Sequence, residues 1–185
     1  MISTNQFKNG NHIEVEGTVF KIIEFQHVKP GKGGAFVRTK LRNVRTGSVL
    51  ERTFNAGIRV EQAIVDRQDM QFLYRDGDDY VFMNTSTYDQ ITVPPTALGS
   101  AADYLVEQAI AQIAQYHGEI IGVEIPASVE LTITQTEPGV QGDRVSGARK
   151  SAELETGKTI QVPLFVEIGD RVKVDTRTGD YITRV

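Results

Sequence analysis

The sequence predicts a mainly β protein made of several small antiparallel barrels, and three observations support this prediction. Short apolar, β-branched runs alternate with turn residues along most of the 185-residue chain. Apolar residues make up 39% of the composition, which fits several small cores. The chain is also longer than one small β domain requires. We therefore expect two or three compact domains of short strands, together with one short helix.

The first section of the chain has the pattern of a small antiparallel barrel. Its apolar runs are separated by the turn pairs Glu16-Gly17 and Thr46-Gly47. The predicted strands are 13–15, 18–25, 35–44 and 49–54. Because short strands joined by such turns curl into closed sheets, we expect a barrel that ends near residues 60–65.

The middle section predicts a hairpin followed by the only helix. The strands 70–74 and 80–83 flank an acidic turn, and a short strand at 91–93 stops at Pro94-Pro95. The helix is predicted between Ser100, as N-cap, and Gly118, which closes it. Apolar side chains recur there at spacings of three and four residues, which is typical of one buried helical face: Leu105, Val106, Ala109, Ile110, Ile113 and Ala114.

The last section predicts a five-stranded barrel of the oligonucleotide-binding kind. Val129, Leu131 and Ile133 alternate with polar residues, as in a half-buried strand. A polar, glycine-containing loop spans 137–147, and further strands are predicted at 159–166, 171–175 and 181–185. The three sections give predicted domains at 1–64, 65–128 and 129–185.

Charge is distributed unevenly along the chain, although its formal net value is −4. Residues 1–63 carry a net charge of +5 and residues 64–185 a net charge of −9. Between Lys29 and Arg59 there are eight basic residues and a single acidic residue, Glu51. This pattern favours a first domain that contacts phosphates, with an ordinary solvated basic surface as the alternative.

Several functional classes have no support in the sequence. The chain has no cysteine, which excludes disulfides, thiolate metal sites and a cysteine nucleophile. His12, His27 and His117 are far apart and lack metal-ligand spacing. No secretory signal and no long apolar segment is present. We therefore expect a cytoplasmic protein with no cofactor, no metal and no membrane partner, and no local motif indicates an enzyme.

The most distinctive local motif is Pro30-Gly31-Lys32-Gly33-Gly34, which lies between two predicted strands. Glycines on both sides of Lys32 remove side-chain bulk and permit positive φ, while Pro30 stiffens the approach. A phosphate-binding P-loop is rejected, because that motif needs Ser or Thr after Gly-Lys and then a helix. Two interpretations remain: an ordinary turn with an incidental lysine, and a lysine presented to nucleic acid as a point charge.

At this loop the sequence resembles the bacterial elongation factor P family. The matching residues are Gln26 to Phe36, which read QHVKPGKGGAF, and Glu51 to Phe54. Near the end, residues at the family's signature spacings include Lys150, Ala152, Gly157, Val162-Pro163 and Gly169. The resemblance covers essentially the whole chain. It implies an SH3-like (KOW-like) first barrel followed by two oligonucleotide-binding barrels.

The resemblance also implies a function. Members of the family bind stalled ribosomes between the peptidyl and exit sites, and their tip lysine reaches the acceptor end of the peptidyl-transfer RNA. They relieve stalling at consecutive prolines. Lys32 occupies the tip position, which in many members is extended by a modifying enzyme. We expect a monomer, with ribosomal RNA and peptidyl-transfer RNA as partners.

The expected RNA contacts form two groups. Lys32 and its loop residues Pro30, Gly31, Gly33 and Gly34 form the tip, and the supporting basic residues are Lys29, Arg38, Lys40 and Arg42. The resemblance implies that a loop of the third domain approaches messenger RNA in the exit site: Gly142, Asp143, Arg144, Ser146 and Gly147. This chain departs from the family there, because Arg144 and Ala148 replace the usual threonine and glycine.

Other functions remain open on the sequence alone. A divergent paralogue with the same fold would bind ribosomes without relieving proline stalls. A general single-strand RNA-binding protein would bind free RNA, although the acidic balance of residues 64–185 argues against it. An enzyme would need catalytic residues that meet only in the folded chain.

Overall fold

The computed structural model describes residues 1–139 and 147–185, and strands dominate it. It contains three sheets, of six, five and five strands. The prediction of a mainly β protein is therefore confirmed. Within the described part of the chain, no helix has the length and apolar character needed to cross a bilayer.

The first sheet has the strand order β1-β6-β2-β3-β4-β5. Its strands are β1 (Ile2–Ser3), β2 (His12–Val15), β3 (Thr18–Val28), β4 (Phe36–Asn43), β5 (Val49–Asn55) and β6 (Arg59–Gln62). Glu16 and Gly17 both have positive φ, 53° and 77°, so a type I′ turn joins β2 to β3 as the sequence predicted. The inward side chains form one apolar core that includes Ile13, Ile22, Val37 and Leu41, each 0% exposed.

The second sheet has the order β11-β10-β7-β8-β9. Its strands are β7 (Asp66–Asp76), β8 (Asp79–Asn84), β9 (Gln90–Val93), β10 (Ile110–Tyr116) and β11 (Glu119–Glu124). The only α-helix among the described residues is α1 (Pro95–Leu98), and a 3-10 helix follows at Gly99–Tyr104. The prediction of one short helix in this section is confirmed, but its position was wrong.

Residues 100–118 form a 3-10 segment and a strand instead of the predicted helix. Ser100 lies inside the 3-10 helix, and Gln108 has a φ of 70°, which interrupts any continuous helix. His117 and Gly118 have φ of 50° and 76°, as in the type I′ turn of a hairpin. Gly118 therefore ends β10 and starts the return strand β11, rather than closing a helix.

The third sheet has the order β14-β13-β12-β15-β16. Its strands are β12 (Ser128–Thr136), β13 (Arg149–Leu154), β14 (Thr159–Pro163), β15 (Arg171–Asp175) and β16 (Tyr181–Arg184). Its core includes the side chains of Leu131, Leu154 and Val162. Tyr104 from the 3-10 helix belongs to the same core and is only 5% exposed. A residue before the predicted boundary at 129 thus helps to fill the core of this sheet.

Spatial contacts between Cα atoms group the chain into two compact units. The first contains Met1–Gln68 and Ile113–Gly122, and the second contains Asp69–Gln112 and Val123–Val185. The first sheet lies in the first unit, and the third sheet lies in the second. The division into domains at 1–64, 65–128 and 129–185 stays a prediction.

Candidate nucleic-acid interface

The β3–β4 hairpin carries the predicted tip at its turn. Val28 pairs with Phe36 and His27 with Val37, so residues 29–35 form the connecting loop. Phe25 is the last residue of β3 that packs against the core, where it is partly buried. The strand continues for three residues beyond Phe25, or about 10 Å at a rise of about 3.3 Å per residue. On β4, however, Val37 opposite His27 is 0% exposed within the same core, so only the pair Val28–Phe36 and the loop extend beyond the core.

Lys32 lies at the turn of this hairpin with its side chain exposed. Within residues 1–139 and 147–185, no hydrogen bond or ion pair holds its amine. The loop therefore carries one exposed cationic group that no side chain engages in the part of the chain that the structure describes.

The glycines around Lys32 have two different roles. Gly33 has a φ of 101°, a conformation that favours glycine, whereas Gly31 and Gly34 lie outside that region. A Cβ added at any of the three would meet no atom within 4 Å. Gly33 is thus the only one of the three positions at which the backbone conformation itself favours glycine. Gly31 and Gly34 lack side chains and so keep the loop narrow, which lets another molecule approach its backbone closely. Pro30, beside them, is also exposed.

The predicted supporting cations lie on the outer face of β4. Arg38, Lys40 and Arg42 are exposed, while the residues between them are buried. This alternation follows from the two-residue period of a strand. Thr39, on the buried side, donates its hydroxyl to the carbonyl of Arg52 at 2.6 Å. Its polar group is therefore satisfied inside the barrel.

These cations differ in their distance from the tip. Lys29 is exposed and directly follows β3, so it belongs to the loop. Arg38 lies two residues from the loop end of β4, about 7 Å, whereas Arg42 lies six residues away, about 20 Å. The structure therefore groups Lys29, Lys32 and Arg38 near the tip. It places Arg42 towards the other end of the strand.

A pair of acidic residues on the same face was missed by the sequence analysis. Glu24 on β3 and Glu51 on β5 stand directly opposite Lys40 in the register. Both are exposed. Another glutamate, Glu16, accepts a hydrogen bond from Arg52 at 2.9 Å, and this contact lowers the pKa of its carboxyl group. The two-residue alternation of the strands is a signal that could have found Glu51.

The predicted messenger-RNA loop lies mostly outside the described residues, which include Gly147 but not Gly142, Asp143, Arg144 or Ser146. Gly147 is exposed and has a φ of 83°.

The residues before and after that loop are well fixed. Lys150 donates from Nζ to the carbonyl of Glu137 at 2.5 Å. A Cβ added to Gly139 would lie 2.6 Å from the carbonyl oxygen of Leu164, so this position has no room for a side chain. Lys150, one of the residues at the family's signature spacings, and Gly139 therefore have structural roles here.

The three histidines occupy unrelated environments. His12 is buried in β2, and His27 is exposed with its ring edge-on to Phe25 at 5.5 Å. His117 lies in the β10–β11 turn, 4.2 Å from the ring of Tyr116. Over the ranges that the structure describes, no group of three His, Asp or Glu side chains is placed to hold a metal ion.

Comparison with known proteins places the chain in a family. Three family models match it in sequence: the KOW-like domain of elongation factor P at residues 3–60, its OB domain at 65–123 and its C-terminal domain at 129–184. An elongation factor P from Frankia casuarinae is 57% identical over 185 residues, which cover 100% of this chain and 99% of that protein. The chain belongs to the elongation factor P family.

A second relative adds to this assignment. An elongation factor P from Kocuria rhizophila is 58% identical over 185 residues, covering 100% of this chain and 99% of that protein. Among solved structures, the translation initiation factor 5A from Methanococcus jannaschii is 24% identical, with a TM-score of 0.49, over 66% of this chain and 94% of that one. Membership of the elongation factor P family confirms the resemblance that the Lys32 loop and the C-terminal signature indicated.

Proposed function

We propose that this chain binds the ribosome between the peptidyl and exit transfer-RNA sites and stimulates peptide bond formation at consecutive prolines. The observation that supports this proposal is the exposed amine of Lys32, unpaired within the described residues, on a thin glycine loop. A free cation on such a loop fits a narrow cavity lined with phosphates. Membership of the elongation factor P family supports the ribosome as the partner that offers such a cavity.

The proposed mechanism is positional. Proline is a poor partner in peptide bond formation because its ring restricts the backbone. Holding the peptidyl-transfer RNA in a reactive geometry lowers the barrier, and favourable model systems imply up to about 7–11 kcal/mol from such positioning. Lys32, Lys29 and Arg38 hold phosphates of the acceptor end. The ribosome supplies the catalytic groups, so this chain acts as a cytoplasmic factor rather than as an enzyme.

Two further contacts belong to the same proposal. The third-domain loop that includes Gly147 approaches messenger RNA in the exit site. The free Lys32 amine is also the group that a modifying enzyme would extend, since a longer side chain reaches further into the cavity. Mass measurement of the intact protein from its native cell tests that modification directly.

The experiment that tests the function compares Lys32→Ala with Lys8→Ala. Lys8 is an exposed lysine of the same unit but lies outside the hairpin, so it matches the charge change. We expect Lys32→Ala to abolish relief of polyproline stalling in a reconstituted translation system, and Lys8→Ala to retain it. Ribosome binding without relief by the wild-type protein would instead indicate a divergent paralogue. Tight binding to free single-stranded RNA would indicate a general RNA-binding protein.

A further inference from the structure

The outer face of β4 carries three basic residues, but the middle one is surrounded by acids. Lys40 stands directly opposite Glu24 on β3 and Glu51 on β5. Side chains at directly opposed positions of antiparallel strands have Cβ atoms about 4.5–5.5 Å apart. We call Glu24, Lys40 and Glu51 the charge row. Its formal net charge is −1.

The position nearer the tip has no such balance. Arg38 stands opposite Gln26 on β3 and Thr53 on β5, and both neighbours are uncharged. The guanidinium of Arg38 is exposed and accessible to a partner. An arginine also presents a planar fork of donors that fits a phosphate group with two hydrogen bonds.

The charge row separates Arg38 from Arg42 on the same strand. Successive outward residues of a strand are about 6.6 Å apart, so the row lies within a Debye length of Arg38, about 8 Å at physiological salt. An RNA backbone that follows β4 from the tip therefore meets one unbalanced cation at Arg38. At the next outward position it meets two carboxylates against one ammonium.

We propose that Arg38 is the strand residue that positions the RNA backbone, and that the charge row ends the phosphate-binding surface. This inference rests on the proposed function, since it identifies which residues of the hairpin take RNA phosphates. The charge of Lys40 is then offset by the two carboxylates at opposed positions, although no ion pair within 4.0 Å joins the three described side chains, and Lys40 makes no phosphate contact. Glu24 and Glu51 act by repulsion, which restricts the RNA backbone to the part of the hairpin that holds Lys29, Lys32 and Arg38.

The test is the salt dependence of ribosome binding by full-length variants. Each lost phosphate contact lowers the slope of log affinity against log salt by about 0.7–0.9. We expect Arg38→Ala to lose about this much, and Arg38→Lys to retain the wild-type slope. From about 50 to about 200 mM salt, the wild-type affinity should fall roughly threefold more than that of Arg38→Ala.

The charge row supplies the matched control. Lys40→Ala removes an exposed cation from the same strand. It should leave the slope unchanged, because no phosphate contact is lost, while lowering the affinity, because Glu24 and Glu51 are no longer offset. The double variant Glu24→Gln, Glu51→Gln frees Lys40, so it should bind more tightly and with a steeper slope. All four substituted side chains are exposed, and thermal unfolding of each variant checks that the fold is retained.

The outcomes separate this inference from the proposed function. If Lys40→Ala lowers the slope as much as Arg38→Ala, or if the double glutamine variant does not steepen it, the inference is overturned. Relief of polyproline stalling that depends on Lys32 would still support the proposed function in that case. A flat slope for the wild-type protein would overturn the inference together with the phosphate contacts of the proposed mechanism.

Discussion

Replacing Gly33 by alanine should impair the tip loop more than the same replacement at Gly34. The φ of Gly33 is 101°, whereas Gly34 lies outside the region that favours glycine. Because an added Cβ meets no atom within 4 Å at either position, steric contact does not distinguish the two variants. The difference that remains is backbone strain, which costs about 1–2 kcal/mol for an alanine in a left-handed conformation.

That strain changes the fraction of molecules whose loop has the required shape. A cost of about 1–2 kcal/mol lowers this population by a factor of about 5–30. In a polyproline translation assay, the concentration of Gly33→Ala needed for half-maximal relief should rise by about the same factor. Gly34→Ala should retain wild-type relief. Equal relief by the two variants would refute the reasoning, because it would mean that the conformation at Gly33 does not matter.

The other predictions concern stability and pH. Tyr104→Ala should lower the free energy of unfolding by about 3–5 kcal/mol, measured by urea denaturation, because Tyr104 is only 5% exposed in the core of the third sheet. An unchanged midpoint would contradict that role. The hydrogen bond that Arg52 donates to Glu16 holds the pKa of its carboxyl group below the usual glutamate value of 4.5. Its small contribution to stability is therefore complete above about pH 4.5 and is lost as the pH falls through the lowered pKa. Arg52→Gln should return the pKa of Glu16 towards 4.5 in an NMR titration, and an unchanged pKa would contradict this cause.

The tip loop was predictable from sequence because its determinants are local. Pro30 and the glycines around Lys32 interrupt two strong strand patterns, and a hairpin joins neighbours along the chain. The structure places the end of β3 at Val28 and the start of β4 at Phe36, on either side of that motif. Local composition was therefore sufficient to find the loop between these two strands.

The helix prediction failed because the apolar pattern was ambiguous. Leu105, Ala109 and Ile113 recur every four residues. This spacing fits one face of a helix, and it also fits one face of a strand, where every second residue points to the same side. The turn at His117-Gly118 decides between them, since a hairpin turn of this type needs positive φ at both positions. Histidine at the first of these positions gave no clear turn signal.

Of the two acidic neighbours of Lys40, Glu24 was missed because its position depends on register. A bulge lies between Ile22 and Glu24, where the pairing of β3 with β4 shifts by one residue. A regular register continued from Ile22 and Leu41 would place Glu24 opposite Thr39, on the buried face. The bulge moves Glu24 opposite Lys40, on the exposed face. Nothing in the local sequence marks that shift.

The central claim is that Lys32 acts after binding, by positioning the peptidyl-transfer RNA. The most direct test is the single-turnover rate of peptide bond formation between two prolines on ribosomes saturated with factor. We predict that the wild-type protein and Lys8→Ala accelerate this step, whereas saturating Lys32→Ala binds the ribosome without accelerating it. Full acceleration by saturating Lys32→Ala would contradict the claim, because the hairpin would then act without its terminal amine.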